Sequence, residues 1–157
     1  MKGKLGEYLS YGLHVITFIT YFILIFSSGA PPMLRWLQYP GMVVFMIGII
    51  FLVFSFVGQH RKEEETLLDT GIYGIIRHPM YLGAILLFIS MALFLPIWVM
   101  ILLCIINGVI ITRFIEIEDH NNLEKFGEAY EGYSQRVPKV NFITGFFKWL
   151  GRKKLSS

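Results

Sequence analysis

Residues 77–97 read RHPMYLGAILLFISMALFLPI, and this stretch decides which kind of fold the chain adopts. A basic Arg-His pair stands directly before Pro79, and an apolar run then continues to a second proline, Pro96. Proline is favoured in the first turn of a helix, where its missing amide hydrogen leaves no bond unmade. The pattern therefore predicts an apolar helix that begins at Pro79 and presents its positive dipole end to the polar residues. Such a helix end suits an anionic ligand.

The whole chain is also apolar in composition. It has 157 residues, of which 55% are hydrophobic and 16% charged, and its mean hydropathy is +0.59. A soluble surface of this size needs more charge. The composition indicates an integral membrane protein, with room for one helical bundle and modest segments outside it. We therefore expect any active site to be built on the bundle itself.

Four apolar stretches approach the length of about 20 residues that a spanning helix needs. The predicted spans are residues 8–26, 39–57, 79–95 and 96–115. Only Leu95-Pro96-Ile97 joins the last two, which predicts a tight helical hairpin whose second arm opens at Pro96. The expected fold class is all-α: an integral membrane helical bundle of about four spans, followed by cytoplasmic C-terminal helices. We expect a single domain over residues 1–157.

Basic residues set the expected orientation of the spans. Lys2 and Lys4 precede the first apolar run, which is too long for a cleavable signal peptide and lacks a clean cleavage pattern. Nearly all other Lys and Arg residues fall on the same side as these two, and Arg35 alone falls on the other. The sequence predicts a multi-pass protein with both termini and the active site on the cytoplasmic face. Cys104 is the only cysteine, so no intrachain disulfide forms.

The region after the fourth span has a helical pattern of its own. Over residues 117–133, one apolar stripe recurs at helical spacing, formed by Leu123, Phe126, Tyr130 and Tyr133. Val137-Pro138 is expected to end this helix, because the residue before a proline avoids the helical conformation. The stripe suits packing against the mouth of the bundle.

Two further segments are charged. Residues 59–68, between the second and third spans, are interpreted as a solvated turn. Residues 141–157 combine aromatic and basic side chains, which is typical of an amphipathic helix at a membrane surface. We expect a basic interfacial tail there, and its aromatic content argues against nucleic-acid binding. Membrane lipids are the expected partners, and the sequence indicates no obligate protein partner.

Two separated motifs carry a resemblance to a known family. The first runs from Leu68-Asp69-Thr70-Gly71-Ile72-Tyr73 into Arg77-His78-Pro79-Met80-Tyr81-Leu82-Gly83. The second comprises Glu118-Asp119, Leu123, Phe126-Gly127, Tyr130, Tyr133 and Val137-Pro138. In order and spacing they resemble the isoprenylcysteine carboxyl methyltransferase and phospholipid methyltransferase superfamily. The likeness covers about residues 40–140, and the joint occurrence of both motifs is more specific than either alone.

The resemblance implies an integral membrane methyltransferase that uses S-adenosyl-L-methionine without a Rossmann domain. In agreement, the sequence contains no Gly-x-Gly-x-x-Gly after a strand. Residues 116–140 are then the cytoplasmic segment that covers the cofactor. Carried over by position, the implied cofactor-binding residues are Arg77, His78, Pro79, Tyr81, Gly83, Glu118, Asp119 and Tyr130. No metal site is implied.

These residue types suit the chemical groups of S-adenosylmethionine. Amides at the start of the third span, with Arg77 and His78, are suited to its carboxylate. Glu118 is suited to the ribose hydroxyls or the ammonium group. Aromatic walls and cation–π contacts for the sulfonium are available from Tyr81, Tyr130 and Tyr133.

The residues alone leave the methyl acceptor open. A carboxylate nucleophile needs no base, whereas an ammonium group must first lose a proton to a residue such as His78 or Glu118. Arg113 and Arg136 are candidates to pair with an anionic acceptor, and Arg113 also fits a snorkelling interfacial cation. We assign catalytic roles to His78 and Arg136 and substrate contacts to Arg113 and Tyr133. By resemblance, carboxyl O-methylation of a lipophilic, isoprenylcysteine-like acceptor ranks first, and phospholipid or other amine N-methylation second.

The chain departs from the family pattern at three places. Gly71-Ile72-Tyr73-Gly74 replaces Gly-Pro-Tyr-Arg, Glu118-Asp119 replaces Glu-Glu, and Lys139-Val140-Asn141 replaces Arg-x-x-Pro.

Two other classes of protein are alternatives to a methyltransferase. A small transporter or non-enzymatic membrane subunit has this size, but such transporters usually need a carboxylate inside a span, and the predicted spans contain none. A sterol-type reductase with a nicotinamide cofactor has no supporting feature in the sequence.

Overall fold

The fold is entirely helical over the part of the chain that the structure describes. The computed structural model describes residues 2–27, 29–60 and 66–155. Its elements, in chain order, are α1 (Lys2–Ser27), a 3-10 helix (Pro32–Leu37), α2 (Gln38–His60), a second 3-10 helix (Gly71–Gly74), α3 (Pro79–Phe94), α4 (Trp98–Phe126), α5 (Glu128–Arg136) and α6 (Phe142–Leu155). Half of the predicted solvated turn, residues 61–65, lies outside the described residues.

The four predicted spans fall on the four helices α1 to α4. Pro32–His60 and Trp98–Phe126, of 29 residues each, are long and apolar enough to cross a membrane. Gly12–Leu24 and Pro79–Phe94 are apolar but shorter. The all-helical fold class is confirmed, and two of the described helices are candidates to span a membrane. The number of spans and their orientation stay predictions.

Each helix of the predicted hairpin has a proline at its first residue or in the turn just before it. α3 begins at Pro79, as the sequence predicts. α4 begins at Trp98, two residues later than predicted, because Pro96 lies in the turn. In that turn the amide of Ile97 donates to the carbonyl of Leu95 at 2.8 Å. The connection between α3 and α4 is thus as short as the sequence indicates.

A glycine divides the helix that the sequence predicts over residues 117–133. Gly127 has a φ of 53°, and its amide donates to the carbonyl of Leu123 at 2.9 Å. A left-handed glycine of this kind ends a helix. The prediction of one helix is therefore wrong: its first part belongs to α4 and its second to α5. Leu123 is also 45% exposed, so it does not share the burial of Tyr130 and Tyr133.

The chain divides into two compact units. The first consists of Met1–Ile47 and Ile85–Thr112, and the second of Gly48–Ala84 and Arg113–Ser157. In the first unit, Nδ2 of Asn107 donates to the hydroxyl of Thr17 at 3.0 Å, and both side chains are buried. This hydrogen bond joins α1 to α4. The single domain over residues 1–157 stays a prediction.

The second unit holds most of the residues to which the sequence assigns a function. In it α2 and α3 approach closely, because a Cβ at Gly83 would lie 2.9 Å from the carbonyl oxygen of Gly48. One buried hydrophobic cluster of this unit consists of Tyr130, Tyr133 and Val137, with Leu67 and Phe126 packed against them. Asn141 caps α6, since its side-chain oxygen accepts from the amide of Thr144 at 3.1 Å.

Candidate functional site

Asp119 is the centre of a polar cluster in the second unit. Its Oδ1 lies 2.8 Å from Nε2 of His78 and 2.9 Å from a terminal guanidinium nitrogen of Arg77. The hydroxyl of Tyr130 also donates to Oδ1, and Nζ of Lys139 lies 3.0 Å from Oδ2. An ionised carboxylate only accepts, so Nε2 of His78 carries the hydrogen in this contact. Four donors from three parts of the chain therefore converge on one carboxylate.

The cluster is largely withdrawn from solvent. The side chain of His78 is 2% exposed, that of Arg77 9% and that of Asp119 15%. Burial alone would raise the pKa of Asp119, but the hydrogen bonds from His78, Tyr130 and Lys139 outweigh it and hold the pKa well below its usual value. Asp119 lies in the charged part of α4, beyond its apolar residues. It is therefore ionised at neutral pH, and two cations, Arg77 and Lys139, face a single carboxylate.

Two tyrosines complete the wall of the cluster. Burial raises the pKa of Tyr130 to about 12, and its hydrogen bond to Asp119 acts in the same direction. Burial also raises the pKa of Tyr133, whose hydroxyl donates to the carbonyl of Tyr73 at 2.8 Å. The rings of Tyr130 and Tyr133 lie 5.8 Å apart. Both hydroxyls stay protonated at neutral pH and act as hydrogen-bond donors.

The backbone before α3 is held by the segment that follows α5. The amide of Arg77 donates to the carbonyl of Pro138 at 2.9 Å, and the amide of His78 donates to the carbonyl of Lys139 at 3.0 Å. These two amides are therefore unavailable to a ligand, and the binding of an anionic group by the amides at the start of α3 stays a prediction. The pairing brings the Arg77-His78 motif and the Val137-Pro138 motif side by side.

A cavity of about 300 Å³ opens beside the cluster; we call it the polar cavity. Its lining residues are Gln59, Leu67, Leu68, Tyr73, Arg77, Glu118, Asn122, Phe126, Tyr130 and Tyr133. Nε of Arg77 is buried and has no hydrogen-bond partner among the described residues. The volume lies at the lower end of the range for small-molecule sites. The polar cavity thus offers a cation from Arg77, a carboxylate from Glu118, and aromatic walls.

An apolar groove borders the polar cavity. The groove measures about 350 Å³ and is lined by Leu52, Val53, Phe56, Gln59 and Met80. Gln59 also lines the polar cavity, where its Nε2 donates to the hydroxyl of Tyr73 at 3.2 Å. Gln59 is therefore common to the lining of the polar cavity and that of the groove.

Another cavity, of about 480 Å³, contains Asp119 itself; we call it the Asp119 cavity. Its lining residues are Arg77, Asp119, His120, Leu123, Tyr130, Glu131, Ser134 and Lys139. Arg77 and Tyr130 line both this cavity and the polar cavity, so these two side chains stand between them. Tyr130 supplies the only aromatic ring among its lining residues, whereas the polar cavity has four aromatic rings.

The structure places the other predicted cofactor residues around α3. Pro79 is buried and begins the helix. The ring of Tyr81 lies 5.8 Å from the ring of His78. Gly83 lies where α2 and α3 touch, which points to a packing role. Together with the Asp119 cluster, the structure brings together His78, Arg77, Asp119, Tyr130, Tyr133 and Tyr81, with Glu118 in the wall of the adjoining polar cavity.

Two predicted arginines do not line the polar cavity. Arg113 is exposed, and its guanidinium pairs with Glu116 at 3.0 Å, one turn along α4. Arg136 is exposed, and its Nε donates to the carbonyl of Gly132 at 3.0 Å. Arg136 instead lines a separate cavity of about 280 Å³ together with Arg152. The roles assigned to these arginines stay predictions.

Sequence reasoning missed three residues that the structure brings to the site. Lys139 pairs with Asp119, and its position directly after Val137-Pro138 was a usable signal. Tyr73 lies inside the first motif and lines the polar cavity. Gln59 lies at the end of α2, where nothing in the local pattern distinguishes it from a solvated residue.

Comparison with known proteins agrees with this geometry. The family model described as "Phospholipid methyltransferase" matches residues 36–129, more than half of the chain. "Protein-S-isoprenylcysteine O-methyltransferase B" of Arabidopsis thaliana is 32% identical over 93 residues, which cover 53% of this chain and 43% of that protein. The similarity thus spans less than half of the curated relative, and no solved structure matches significantly. Since the family match includes both Arg77-His78 and Glu118-Asp119, the chain belongs to the phospholipid methyltransferase family.

Proposed function

We propose that this chain transfers the methyl group of S-adenosyl-L-methionine to a carboxylate at the polar end of a lipophilic, isoprenylcysteine-like acceptor. One observation carries the proposal: the polar cavity and the apolar groove border on the same side chain, Gln59. The polar cavity suits a cofactor, and the groove suits the apolar body of an acceptor. Family membership supports the type of reaction, and the name of the Arabidopsis relative supports the class of acceptor.

The residues of the polar cavity fit the cofactor group by group. Arg77 lines the cavity, and its guanidinium suits the carboxylate of the cofactor. Glu118 suits the ammonium group or the ribose hydroxyls. The rings of Tyr73, Tyr130 and Tyr133 offer flat apolar walls to adenine and electron-rich faces to a sulfonium. When bound, S-adenosylmethionine supplies an electrophilic methyl carbon, and its sulfur leaves with the bonding electrons as a neutral thioether.

The other residues of the site hold these contacts in place. Asp119 already accepts from four protein donors, so we assign it a positioning role for Arg77 and His78. Glu118, its neighbour, is the carboxylate that faces the ligand. Methyl transfer depends mainly on aligning the two reactants and on excluding water. A fixed guanidinium in a partly buried wall serves that alignment.

A carboxylate acceptor fits this site better than an amine. An ammonium group must lose its proton before it attacks, and that step needs a free base within hydrogen-bond reach. Nε2 of His78 is bonded to Asp119, and Glu118 is assigned to the cofactor, so on this assignment neither is free to take that proton. A carboxylate attacks without proton transfer, so it needs no such base.

We also propose that the site and both termini face the cytoplasm, in a multi-pass arrangement. Lys and Arg residues concentrate on the side of the predicted spans that carries residues 113–157, and Arg35 lies on the other side. Single cysteines introduced at Ser134 and at Met33, in a chain with Cys104→Ser, would report the orientation in intact cells. A membrane-impermeant maleimide is expected to label position 33 only. Labelling of position 134 only would reverse the arrangement.

Methyl transfer with labelled cofactor tests the function directly. The purified chain in lipid is given radiolabelled S-adenosylmethionine with either an S-farnesylated N-acetylcysteine or phosphatidylethanolamine. We expect label in the farnesylated acid, released by mild base as volatile methanol, because methyl esters hydrolyse and N-methyl groups do not. Glu118→Gln is expected to lose most of the transfer. Base-stable label in the lipid amine would replace the proposed acceptor, and label in neither, with bound cofactor, would remove both.

A further inference from the structure

The C-terminal helix α6 has two faces of different character. Successive residues of an α-helix are rotated by about 100°. Gly145, Trp149 and Arg152 consequently share one face. The opposite face carries Ile143, Phe147 and Leu150. The face with Gly145 packs within the second unit, whereas the face with Ile143 is exposed.

The inner face of α6 packs on the segment that precedes Arg77 and His78. Gly145 is buried, and a Cβ there would overlap the carbonyl oxygen of Ile75. The guanidinium of Arg152 donates to the carbonyl of Gly74 at 2.7 Å and to that of Arg136 at 3.0 Å. These contacts hold the backbone two and three residues before Arg77. The position of α6 therefore bears on the position of the site.

The outer face of α6 is apolar and exposed. Ile143 is 70% exposed, Phe147 67% and Leu150 42%. Three large apolar side chains on one helix face form a contiguous patch, which in a stable protein marks an interaction surface. Helices with such a face and basic flanks lie in the interface of a bilayer.

The positive charge of α6 indicates which kind of partner binds this face. α6 contains Lys148, Arg152, Lys153 and Lys154 and no acidic residue. Lys148 and Lys153 lie to either side of the apolar patch by helical position, and Lys154 lies at its C-terminal end. A second copy of the same basic helix would be repelled, whereas an anionic lipid surface attracts each of these residues.

We propose that α6 docks its outer face on anionic phospholipid of the membrane that holds the chain, and that this docking steadies the segment carrying Arg77 and His78. The lipid headgroups neutralise the lysines, and the acyl chains cover Ile143, Phe147 and Leu150. Gly145 and Arg152 transmit the constraint through Ile75 and Gly74. Docking does not depend on methyl transfer, so its test needs no activity.

The test uses the full chain in lipid nanodiscs that hold one copy each. An environment-sensitive fluorophore is attached at Ile143→Cys in a chain with Cys104→Ser, and spin-labelled lipid serves as quencher. Discs contain phosphatidylcholine alone or with one third phosphatidylserine. We expect strong quenching in the anionic discs, and weaker quenching of a matched label at Thr144→Cys on the side of the helix. Hydrogen exchange at the amides of Arg77 and His78 is expected to slow by severalfold in the anionic discs.

Charge variants separate anionic docking from apolar contact alone. Each basic residue near an anionic surface contributes about fivefold to binding. The triple variant Lys148→Gln, Lys153→Gln, Lys154→Gln is therefore expected to weaken docking by up to about 100-fold. Replacing the same three lysines with Arg keeps the charge and should leave docking intact.

Three outcomes would overturn the proposal. The first is a label at position 143 that stays in water in anionic discs. The second is equal quenching in neutral and anionic discs that is unaffected by the triple Gln variant. The third is shielding that appears only when a disc holds two chains, which would identify a second copy as the occupant. Unchanged hydrogen exchange at Arg77 and His78 on docking would overturn the proposed effect on the site.

Discussion

Nε2 of His78 lies 2.8 Å from Oδ1 of Asp119, although 41 residues separate the two along the chain. The contact joins the start of α3 to the charged part of α4, and so joins the two sequence motifs. Asp119 also accepts from Arg77, Tyr130 and Lys139. The two members of the acidic pair therefore differ in role. Asp119 accepts hydrogen bonds from protein groups, and Glu118 lines the polar cavity.

This division predicts opposite effects for two matched substitutions. Asp119→Asn removes the charge that compensates the buried guanidinium of Arg77, and we expect it to lower the free energy of unfolding by roughly 3 kcal/mol. Glu118→Gln makes the same chemical change one residue away, in the wall of the polar cavity. It is expected to change stability by less than about 0.5 kcal/mol and to weaken cofactor binding. Thermal unfolding and calorimetry in detergent measure both quantities, and equal loss of stability in the two variants would contradict the division.

Asp119 also predicts how stability depends on pH. Its pKa in the folded chain lies well below the ordinary value of 3.8. A carboxylate with a lowered pKa adds stability that is fully present above the unfolded pKa and is lost as pH falls through the folded pKa. Thermal midpoints should therefore hold from neutral pH down to about 4 and fall below it. The fall should be shallower in Asp119→Asn, and an equally steep fall in that variant would assign the acid sensitivity to other groups.

Filling each cavity in turn with a large side chain tests whether the polar cavity or the Asp119 cavity binds the cofactor. Asn122→Trp places a large side chain in the polar cavity, and Ser134→Trp places the same side chain in the Asp119 cavity. We expect Asn122→Trp to weaken cofactor binding by at least tenfold, while Ser134→Trp keeps it within about threefold. Binding of the demethylated cofactor, measured by calorimetry, gives the comparison. The reverse order would move the cofactor to the Asp119 cavity.

Two glycines of α6 form another matched pair. A Cβ at Gly145 would overlap the carbonyl of Ile75, whereas no atom lies within 4 Å of a Cβ at Gly151. Gly145→Ala is expected to destabilise the second unit by about 1–3 kcal/mol, since backbone atoms must move apart. Gly151→Ala should stabilise α6 slightly, because alanine is the better helix former. Hydrogen exchange across residues 74–78 is expected to rise in the first variant only.

The sequence was sufficient where one strong local signal acts alone. Pro79 begins α3, and α5 ends at Arg136, directly before Val137-Pro138. It failed at Gly127, because helical periodicity continues through a glycine whether or not the chain turns there. Only the backbone conformation, a φ of 53°, shows the break.

The site was predictable in its residues but not in their contacts. Both motifs were recognised, yet which member of Glu118-Asp119 faces the ligand depends on the rotation of α4 and not on residue type. The use of the Arg77 and His78 amides by Pro138 and Lys139 is equally invisible to the sequence, since it depends on how the segment after α5 returns. Gln59 was missed because its importance arises from two cavities that meet in space.

Cofactor binding tests the central claim most directly. Calorimetric titration of the purified chain in lipid with S-adenosylhomocysteine should give one site with a dissociation constant on the order of micromolar. Glu118→Gln, folded as judged by its thermal midpoint, should bind at least tenfold more weakly. No heat and no thermal shift with a folded wild-type chain, for either S-adenosylhomocysteine or S-adenosylmethionine, would contradict the account of the polar cavity as a methyltransferase site.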